Sequence, residues 1–201
     1  RSRLCYALCM DTSWFDICFP ATGNAPINYE YALFSAINHE IGDIHQADWL
    51  GIHPIYGKRE KNTIYLNDLK YPIRFRVEKT HRNFILSLAN RKLFLDNHPI
   101  ILGEPAMFKI KYHNSLISRK VSFNGMKNDF ENEIKSFLDK HNIIANIQIG
   151  NQRKCFIKDK FNYGYEVKFT NLIKEHSLFL QQNGVFGGRR FGFGVFTKYL
   201  A

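Results

Sequence analysis

The order of strand-like and helix-like segments repeats in the two halves of the chain, and this repeat limits the possible folds more than any single motif. By about residue 105 a strand, an amphipathic helix, two strands, a short helix and a hairpin follow one another. The second half repeats that order. Two successive β-α-β-β-α-β units predict an α+β protein with two tandem ferredoxin-like domains, the unit that also underlies RNA-recognition motifs. We place the domains at residues 1–107 and 108–201, with the boundary near Glu104–Phe108.

In the first half, local patterns predict where individual elements lie. Residues 14–20 read as a buried strand, and residues 21–28 read as a turn. A helix is predicted from a cap at Asn28 to about Gln46, since its apolar residues recur at helical spacing. Residues 48–62 contain proline, glycine and a basic run, and we interpret them as a loop.

The second half carries the same kind of signals. A helix is predicted over residues 129–143, and a hairpin over residues 155–170 that turns near the segment KDKFN. The next helix is predicted over residues 171–184, with Asn171 as its cap and Gly184 as its end. A glycine-rich loop and a final strand follow, and on that strand the alternating Phe191 and Phe193 are expected to share one face.

The charge of the chain points to a polyanionic partner. Lys and Arg number 28 against 18 Asp and Glu, which gives a net charge of +10, and the basic residues are spread along the whole sequence. A basic globular protein of this kind typically binds nucleic acid, although a solvated basic surface without a specific partner is the alternative. No apolar run approaches the roughly 20 residues of a spanning helix, so no membrane is expected. The four scattered cysteines, without a CxxC pair, favour free thiols in a cytoplasmic protein.

The segment GVFGGRRFGFGVF, residues 184–196, combines five glycines with two adjacent arginines. Glycine permits positive φ, and consecutive N–H groups in such a loop form a concave anion site. Gly187, Gly188, Arg189 and Arg190 therefore fit one side of an RNA-backbone groove, and composition alone does not decide between this interpretation and the next. The alternative is a turn with two solvated arginines. The segment is not a nucleotide-binding P-loop, because no GKS or GKT follows it.

This glycine-rich segment, placed after a helix near the end of a double ferredoxin-like chain, resembles the signature of the RAMP superfamily of CRISPR-associated RNA-binding proteins. The segments FDICFP, YALFSAINHEI and IHQADWLGIHPIYG resemble the CRISPR precursor-RNA processing endoribonucleases, and within them the myxobacterial-type branch. The resemblance covers roughly residues 15–196.

That resemblance implies a single cut in CRISPR repeat RNA without metal or cofactor. The ribose 2′-hydroxyl attacks the adjacent phosphorus, and the products are a 2′,3′-cyclic phosphate and a 5′-hydroxyl. The implied partners are the repeat RNA and the crRNA hairpin, which the protein retains, and in addition other subunits of a Cascade-like effector. The implied location is the cytoplasm of a prokaryote. The sequence shows no carboxylate cluster of the two-metal nuclease kind.

The resemblance also places the catalytic histidine in the first helix or the loop after it, which leaves His45, then His53, then His39 as candidates. Histidine suits acid or base chemistry near neutral pH. His45 resembles the histidine that ends this helix in many relatives, and His53 begins the loop expected beside RNA. Each has a structural alternative: a helix C-cap for His45, loop shape for His53, a solvated surface for His39. Some relatives use Lys or Arg with Tyr instead, which adds Tyr31 and, on a basic strand, Lys154 and Lys158.

Two basic segments are candidates for phosphate contacts, with an ordinary solvated surface as the alternative for both. The first is the predicted strand over 153–160 and the second is the loop at 58–61. The candidate residues are Arg153, Lys154, Lys158 and Lys160 on the strand, and Lys58 and Arg59 on the loop.

Three functions remain open from the sequence. The chain is a CRISPR repeat endoribonuclease, or a non-catalytic RNA-binding subunit of a CRISPR effector complex, or a general RNA-binding or RNA-modifying protein with the same double fold. The subtype-like segment at residues 44–55 favours the first function over the second.

Overall fold

The computed structural model describes residues 13–42, 44–67, 70–157 and 160–200. The first half contains nine strands and two α-helices among those residues. In chain order they are β1 (Trp14–Phe19), β2 (Ala21–Pro26), α1 (Tyr29–Ile41), β3 (Leu50–Ile52), β4 (Lys58–Glu60), β5 (Thr63–Leu66), β6 (Ile73–Glu78), α2 (Arg82–Leu86), β7 (Lys92–Leu95), β8 (His98–Leu102) and β9 (Ala106–Lys109).

Four of these strands form an antiparallel sheet in the order β3-β6-β1-β9. With β1, β3, β6 and β9 counted as the first to fourth strands of one unit, and with α1 and α2 as its helices, this is the arrangement of a ferredoxin-like domain. The other five strands form a second antiparallel sheet in the order β4-β5-β2-β8-β7. The second sheet is an addition to the basic unit, built from the β4–β5 and β7–β8 hairpins on either side of β2.

The second half repeats the unit without additions. Its elements are β10 (Leu116–Ser122), α3 (Lys127–Lys140), β11 (Asn146–Ile157), β12 (Lys160–Thr170), α4 (Lys174–Asn183) and β13 (Thr197–Lys198). Its antiparallel sheet has the order β11-β12-β10-β13, which matches the first unit strand for strand. The predicted α+β fold with two tandem ferredoxin-like units is confirmed. Because β9 extends across the predicted boundary at residue 107, the division into 1–107 and 108–201 stays a prediction.

Each unit has its own hydrophobic core. Buried residues of the first core lie between positions 17 and 102, and those of the second lie between positions 116 and 196. The α1 residues Leu33, Phe34 and Ile37 are at most 1% exposed, which explains the apolar spacing in the sequence. No helix in the described ranges is long and apolar enough to cross a membrane.

The predicted turn over residues 21–28 is wrong, because residues 21–26 form β2 at the centre of the second sheet. Composition suggested a turn, since the segment is rich in small and turn-forming residues. The strand instead uses its glycine for close approach. Gly23 has φ 112°, and a Cβ there would lie 2.2 Å from the carbonyl oxygen of Pro99 on β8.

Helix boundaries also differ from the sequence-based expectation. α1 ends at Ile41, because Gly42 adopts φ 91°, and Asn28 makes no side-chain cap hydrogen bond. Ile44 is nevertheless buried, so the apolar pattern continues past the end of the helix without helical structure. α4 begins only at Lys174, without a side-chain cap from Asn171, but it ends before Gly184 as predicted.

The segment at residues 48–62 is not a plain loop, and the end of the chain is not a long strand. β3 and β4 lie within the first segment, but each has three residues, too few for a periodic signal. The final strand is only Thr197–Lys198. Phe191 and Phe193 therefore lie in the loop before it, and the prediction that they share a strand face is wrong.

Buried charged side chains tie the two units together. Arg76 on β6 is 2% exposed and donates from Nη1 to the carbonyl oxygens of Phe196, at 2.5 Å, and Gln181, at 3.3 Å. The Lys120 ammonium on β10 pairs with the Glu30 carboxylate on α1, and both residues are 8% exposed. Buried ions must be paired to be tolerated, so these contacts favour one relative position of the two units.

Candidate active site

The glycine-rich loop of the second unit packs against α1 of the first through aromatic rings. The Phe191 ring lies 4.7 Å from the Phe34 ring and 6.5 Å from the Tyr31 ring, measured between centroids. The His45 ring meets Phe34 edge-on at 5.4 Å. Tyr31 and His45, two of the four predicted catalytic residues, therefore border the same Phe34–Phe191 pair.

Those two side chains differ from core residues in their access to solvent. His45 is exposed and Tyr31 is half-buried, whereas Phe34 between them is 1% exposed. The Phe34 and Phe191 rings thus form an apolar contact that supports the Tyr31 phenol and the His45 imidazole at the surface. Groups at such a position can reach an RNA backbone and exchange protons with it, which is what general acid–base chemistry needs.

The loop itself is held in a left-handed conformation over several residues. Phe186, Gly187 and Gly188 have φ of 59°, 76° and 73°. Within the described part of the chain, the N–H groups of Gly187 and Gly188 have no hydrogen-bond acceptor, whereas the N–H groups of residues 191–194 close the loop onto itself and onto β10. Left-handed Gly188 is followed by a 3₁₀ turn over Arg189–Phe191, and successive N–H groups at such a change of hand form a concave site for an anion.

Gly194 shows why the loop requires glycine. Its φ is 62°, and a Cβ at this position would lie 2.6 Å from the carbonyl oxygen of Val185. A side chain here would push the two ends of the loop apart. Phe193, next to it, is 3% exposed and lies under the Lys120 ammonium, so it serves packing rather than base stacking.

The two arginines of the loop lie in different environments, although the sequence predicts the same role for both. Arg189 is 7% exposed, stacks at 4.7 Å on the Trp14 ring and donates from Nη1 to the carbonyl oxygen of Asp48 at 3.1 Å. Burial, with a contribution from the nearby Arg76, lowers the pKa of Arg189 to about 9. Arg190 is only half-buried and lies 5.1 Å from the Phe191 ring. Arg190 is therefore the one of the pair that a phosphate can reach without a change in the loop.

His53 lies in a buried network on the other face of the first sheet. It is 4% exposed, and its Nε2 lies 3.2 Å from Oδ1 of Asp16, which Arg76 holds through two hydrogen bonds of 2.8 and 2.9 Å. Burial lowers the pKa of His53 to about 4, although Asp16 opposes the shift. Burial alone would raise the pKa of Asp16, but its interactions with His53 and Arg76 hold that pKa well below its ordinary value. His53 is thus neutral near pH 7 and fixed in place.

His39 lies on the solvent side of α1. Its side chain is 87% exposed, and its Nδ1 lies 3.6 Å from the Glu40 carboxylate. It borders a hollow of about 560 Å³ together with Tyr31 and Ser35. The structure therefore brings His39 near Tyr31, but along the helix and away from the glycine-rich loop.

The basic candidates are at the surface, and several are already paired. Lys154 lies 5.3 Å from the Phe161 ring, and Nη2 of Arg153 lies 3.3 Å from Oε2 of Glu166. Lys160 is exposed at the start of β12, and Lys158 lies outside the described residues. Lys58 pairs with Glu60 at 2.6 Å, while its neighbour Arg59 is exposed. The hydrogen bond and the charge of Glu60 raise the pKa of Lys58.

Sequence reasoning missed a basic cleft of about 620 Å³ between the two units. His53 contributes to one wall, and the Arg119 guanidinium lies 5.3 Å from the Tyr56 ring inside it. The other cationic and tyrosine side chains around the cleft are Lys70, Tyr71, Arg74, Lys198 and Tyr199. No local pattern marks these residues, because they come from separate strands and loops that only the packing of the two units brings together.

Comparisons with known proteins agree with this architecture. The family model described as Cas6 Crispr matches residues 15–199. The CRISPR-associated endonuclease Cas6 of Myxococcus xanthus (strain DK1622) is 26% identical over 185 residues, which cover 90% of this chain and 80% of that protein.

Solved structures show the same fold at low sequence identity. A structure described as CRISPR associated protein Cas6 superposes with a TM-score of 0.68 at 13% identity, over 93% of this chain and 100% of that one. Cse3 of Thermus thermophilus, bound to an RNA that represents a pre-cleavage complex, superposes with a TM-score of 0.53 at 8% identity, over 92% of this chain and 97% of that one. Because the family model matches nearly the whole length of this chain, the chain belongs to the Cas6 family of CRISPR-associated proteins.

Proposed function

We propose that this protein is an endoribonuclease that cuts CRISPR precursor RNA within the repeat, by attack of a ribose 2′-hydroxyl and without a metal ion. The observation that carries the proposal is the meeting of Tyr31 and His45 at the Phe34–Phe191 ring pair, where α1 touches the glycine-rich loop. Family membership supports the activity, since the relative from Myxococcus xanthus is named a CRISPR-associated endonuclease, and RNA as the substrate is supported by the RNA-bound Cse3 structure that shares this fold.

The chemistry assigns one proton transfer to each side of the scissile phosphate. The 2′-oxygen bonds to phosphorus as its proton passes to a base, and the P–O5′ bond breaks as the 5′-oxygen takes a proton from an acid. His45 and Tyr31 are the groups that perform these transfers in our proposal. The negative charge that develops on the phosphorane oxygens is stabilised by the N–H groups of Gly187 and Gly188 and by Arg190. The products are a 2′,3′-cyclic phosphate and a 5′-hydroxyl, and no cofactor is needed.

The other two histidines fit this chemistry less well. His53 is buried and held by Asp16, so it would have to leave its network to meet a ribose. His39 is accessible and shares a hollow with Tyr31, so it is the second choice after His45. A His39 mechanism would place the scissile phosphate farther from the glycine-rich loop.

We further propose that the protein keeps the product hairpin. The long β11–β12 hairpin presents Arg153, Lys154 and Lys160, and the β4 edge presents Lys58 and Arg59. With a net charge of +10, such surfaces attract phosphates over the Debye length of about 10 Å. Retention would allow the protein to pass the crRNA to other subunits of a CRISPR effector in a prokaryotic cytoplasm.

The direct test is a cleavage assay on a labelled repeat hairpin from the host's own CRISPR array, in EDTA. Matched RNAs carry a single 2′-deoxy nucleotide at each position in turn. We expect one cut that persists in EDTA and that one deoxy substitution blocks, with a cyclic phosphate on the 5′ fragment. Tight binding without a cut would instead support a non-catalytic RNA-binding subunit. A cut that EDTA abolishes would refute the metal-free mechanism.

A further inference from the structure

Three aromatic rings lie together on the first unit, beside the glycine-rich loop, as one stacked pair with a third ring against both. The Trp49 and His81 rings are parallel within 6° at a centroid distance of 4.6 Å. The Phe84 ring lies 6.0 Å from Trp49 and 6.2 Å from His81. Phe84 is 52% exposed, so about half of its surface is open to solvent beside its two aromatic neighbours. We call these three residues the aromatic stack.

The aromatic stack is continuous with the proposed active site. Trp49 lines a cleft of about 290 Å³ whose other walls include Gln46, Gly187, Gly188 and Arg190. Gln46 directly follows His45, so the chain from His45 to Trp49 connects the proposed cut to the stack. Four residues of fully extended chain span at most about 14 Å. The aromatic stack therefore lies within a few nucleotides of the proposed cut.

The charges around this cleft favour a polyanion. Arg190 lines it, and Arg189 behind it is 7% exposed with Nε and Nη2 that have no hydrogen-bond partner among the described residues. Lys79 and Arg82 flank His81 in the chain. Glu78 and Asp48 are the opposing charges, since both line the same cleft, and the Glu78 carboxylate lies 3.7 Å from His81 Nδ1. The cationic side chains named here, Arg189, Arg190, Lys79 and Arg82, still outnumber these two carboxylates.

We propose that the aromatic stack is a nucleotide subsite that binds one unpaired base of the substrate RNA next to the cut. The base stacks on the exposed Phe84 ring, and the backbone follows the cleft past Arg190 toward His45. Base–aromatic stacking tolerates every base, so the subsite selects for an unpaired position and not for sequence. The inference rests on the proposed function, because it assumes that the RNA enters along the glycine-rich loop.

The test uses repeat RNAs that carry one 2-aminopurine at successive unpaired positions on either side of the stem. The fluorescence of this base falls when it stacks on an aromatic ring. We expect quenching on binding at one position near the cut, and a return of fluorescence in Phe84→Ala. The affinity of that RNA should fall roughly 5- to 150-fold, which corresponds to the loss of one stacked base.

Two controls separate stacking from folding and from general RNA binding. Phe108→Ala removes an exposed ring of similar accessibility, 56%, on β9 and should change neither signal. An RNA trimmed to the paired stem should bind Phe84→Ala as tightly as the wild type. Equal weakening for the trimmed stem would overturn the proposal, since the ring would then act on the stem or on folding.

Absence of quenching at every position, with repeat RNA bound, would also overturn the subsite and leave the stack available for a protein partner. If the wild type binds no repeat RNA, the proposed function fails separately. The subsite is then judged with an unstructured oligonucleotide that carries a single 2-aminopurine. Quenching that depends on Phe84 would support the subsite, and its absence would refute it.

Discussion

His45 and His53 lie eight positions apart in the chain, but the fold places them in opposite environments. His45 is exposed beside a ring pair that joins α1 to the glycine-rich loop. His53 is 4% exposed on the opposite face of the first sheet, where Asp16 and Arg76 hold it. Each environment includes a residue of the second unit. Phe191 packs on the Phe34 ring beside His45, and the Phe196 carbonyl accepts a hydrogen bond from Arg76 in the network around His53.

This difference separates two uses of a histidine. A group that transfers protons to RNA must reach the substrate and change protonation near the working pH. A histidine whose pKa burial lowers to about 4 stays neutral and serves as a hydrogen-bonding part of the interface. The first environment fits the proton transfer that we propose for His45, and the second fits a structural role at the contact between the two units.

The largest effect that we expect from the difference between His45 and His53 is on the cleavage rate. His45→Ala should lower the single-turnover rate on the repeat hairpin by roughly 10²- to 10⁴-fold, because one proton-transfer group is lost. RNA affinity should change little. His141→Ala, an exposed histidine at the end of α3, is the matched control and should cut at the wild-type rate. Normal cutting by His45→Ala would move the assignment to His39 or to a mechanism with lysine and Tyr31.

The second prediction concerns stability at the other histidine. Arg76→Met should lower the free energy of unfolding by about 3–5 kcal/mol, since it leaves the Asp16 carboxylate and the Phe196 carbonyl without their buried donor. Urea denaturation measures this change. Arg91→Met, which removes a guanidinium 61% exposed and 3.8 Å from Glu40, should cost about 0–1 kcal/mol. Similar losses in the two variants would mean that the buried network adds no special stability.

The third and smallest effect is a dependence of stability on pH. The unfolded chain takes up a proton on His53 near pH 6.5, whereas the folded chain does so only near pH 4. Between those values the unfolded state binds more protons, so stability should fall as the pH falls, by up to about 3 kcal/mol.

His53→Gln keeps a donor near Asp16 but cannot titrate, so unfolding free energies measured from pH 7 to 4 should fall less steeply for this variant. Burial also lowers the pKa of His113, which contributes in the same direction in both proteins. Identical pH profiles for the wild type and His53→Gln would show that His53 titrates normally.

Local sequence patterns predicted the helices and hairpins better than the elements that depend on distant partners. The amphipathic spacing of α1 and α3 and the hairpin at residues 92–102 are set by neighbours in the chain, and these predictions agree with the structure within a few residues. β2 looked like a turn because its composition is that of a turn. It is a strand because β5 and β8 supply hydrogen bonds on both sides.

The same contrast holds for the candidate site. Tyr31 and His45 were named from the sequence through family resemblance, but Phe34 and Phe191, which bring them to one surface, were not. Their contact joins positions more than 150 residues apart, and no short-range pattern carries that information. Arg189 and Arg190 are neighbours of identical type, and the sequence offered no reason to separate them. Arg189 is buried where it stacks on Trp14, whereas Arg190 stays accessible.

Residue type and short-range spacing were enough to predict the repeated β-α-β-β-α-β order, the basic charge and the glycine-rich loop. The candidate residues for the chemistry came from resemblance to a family. Three further features follow only from the packing of the chain: which histidine is accessible, which arginine is buried, and that aromatic rings adjoin the loop. Those features depend on solvent exclusion and on contacts between distant segments. The free-energy cost of burying a charge depends on the partners that the folded chain places around it.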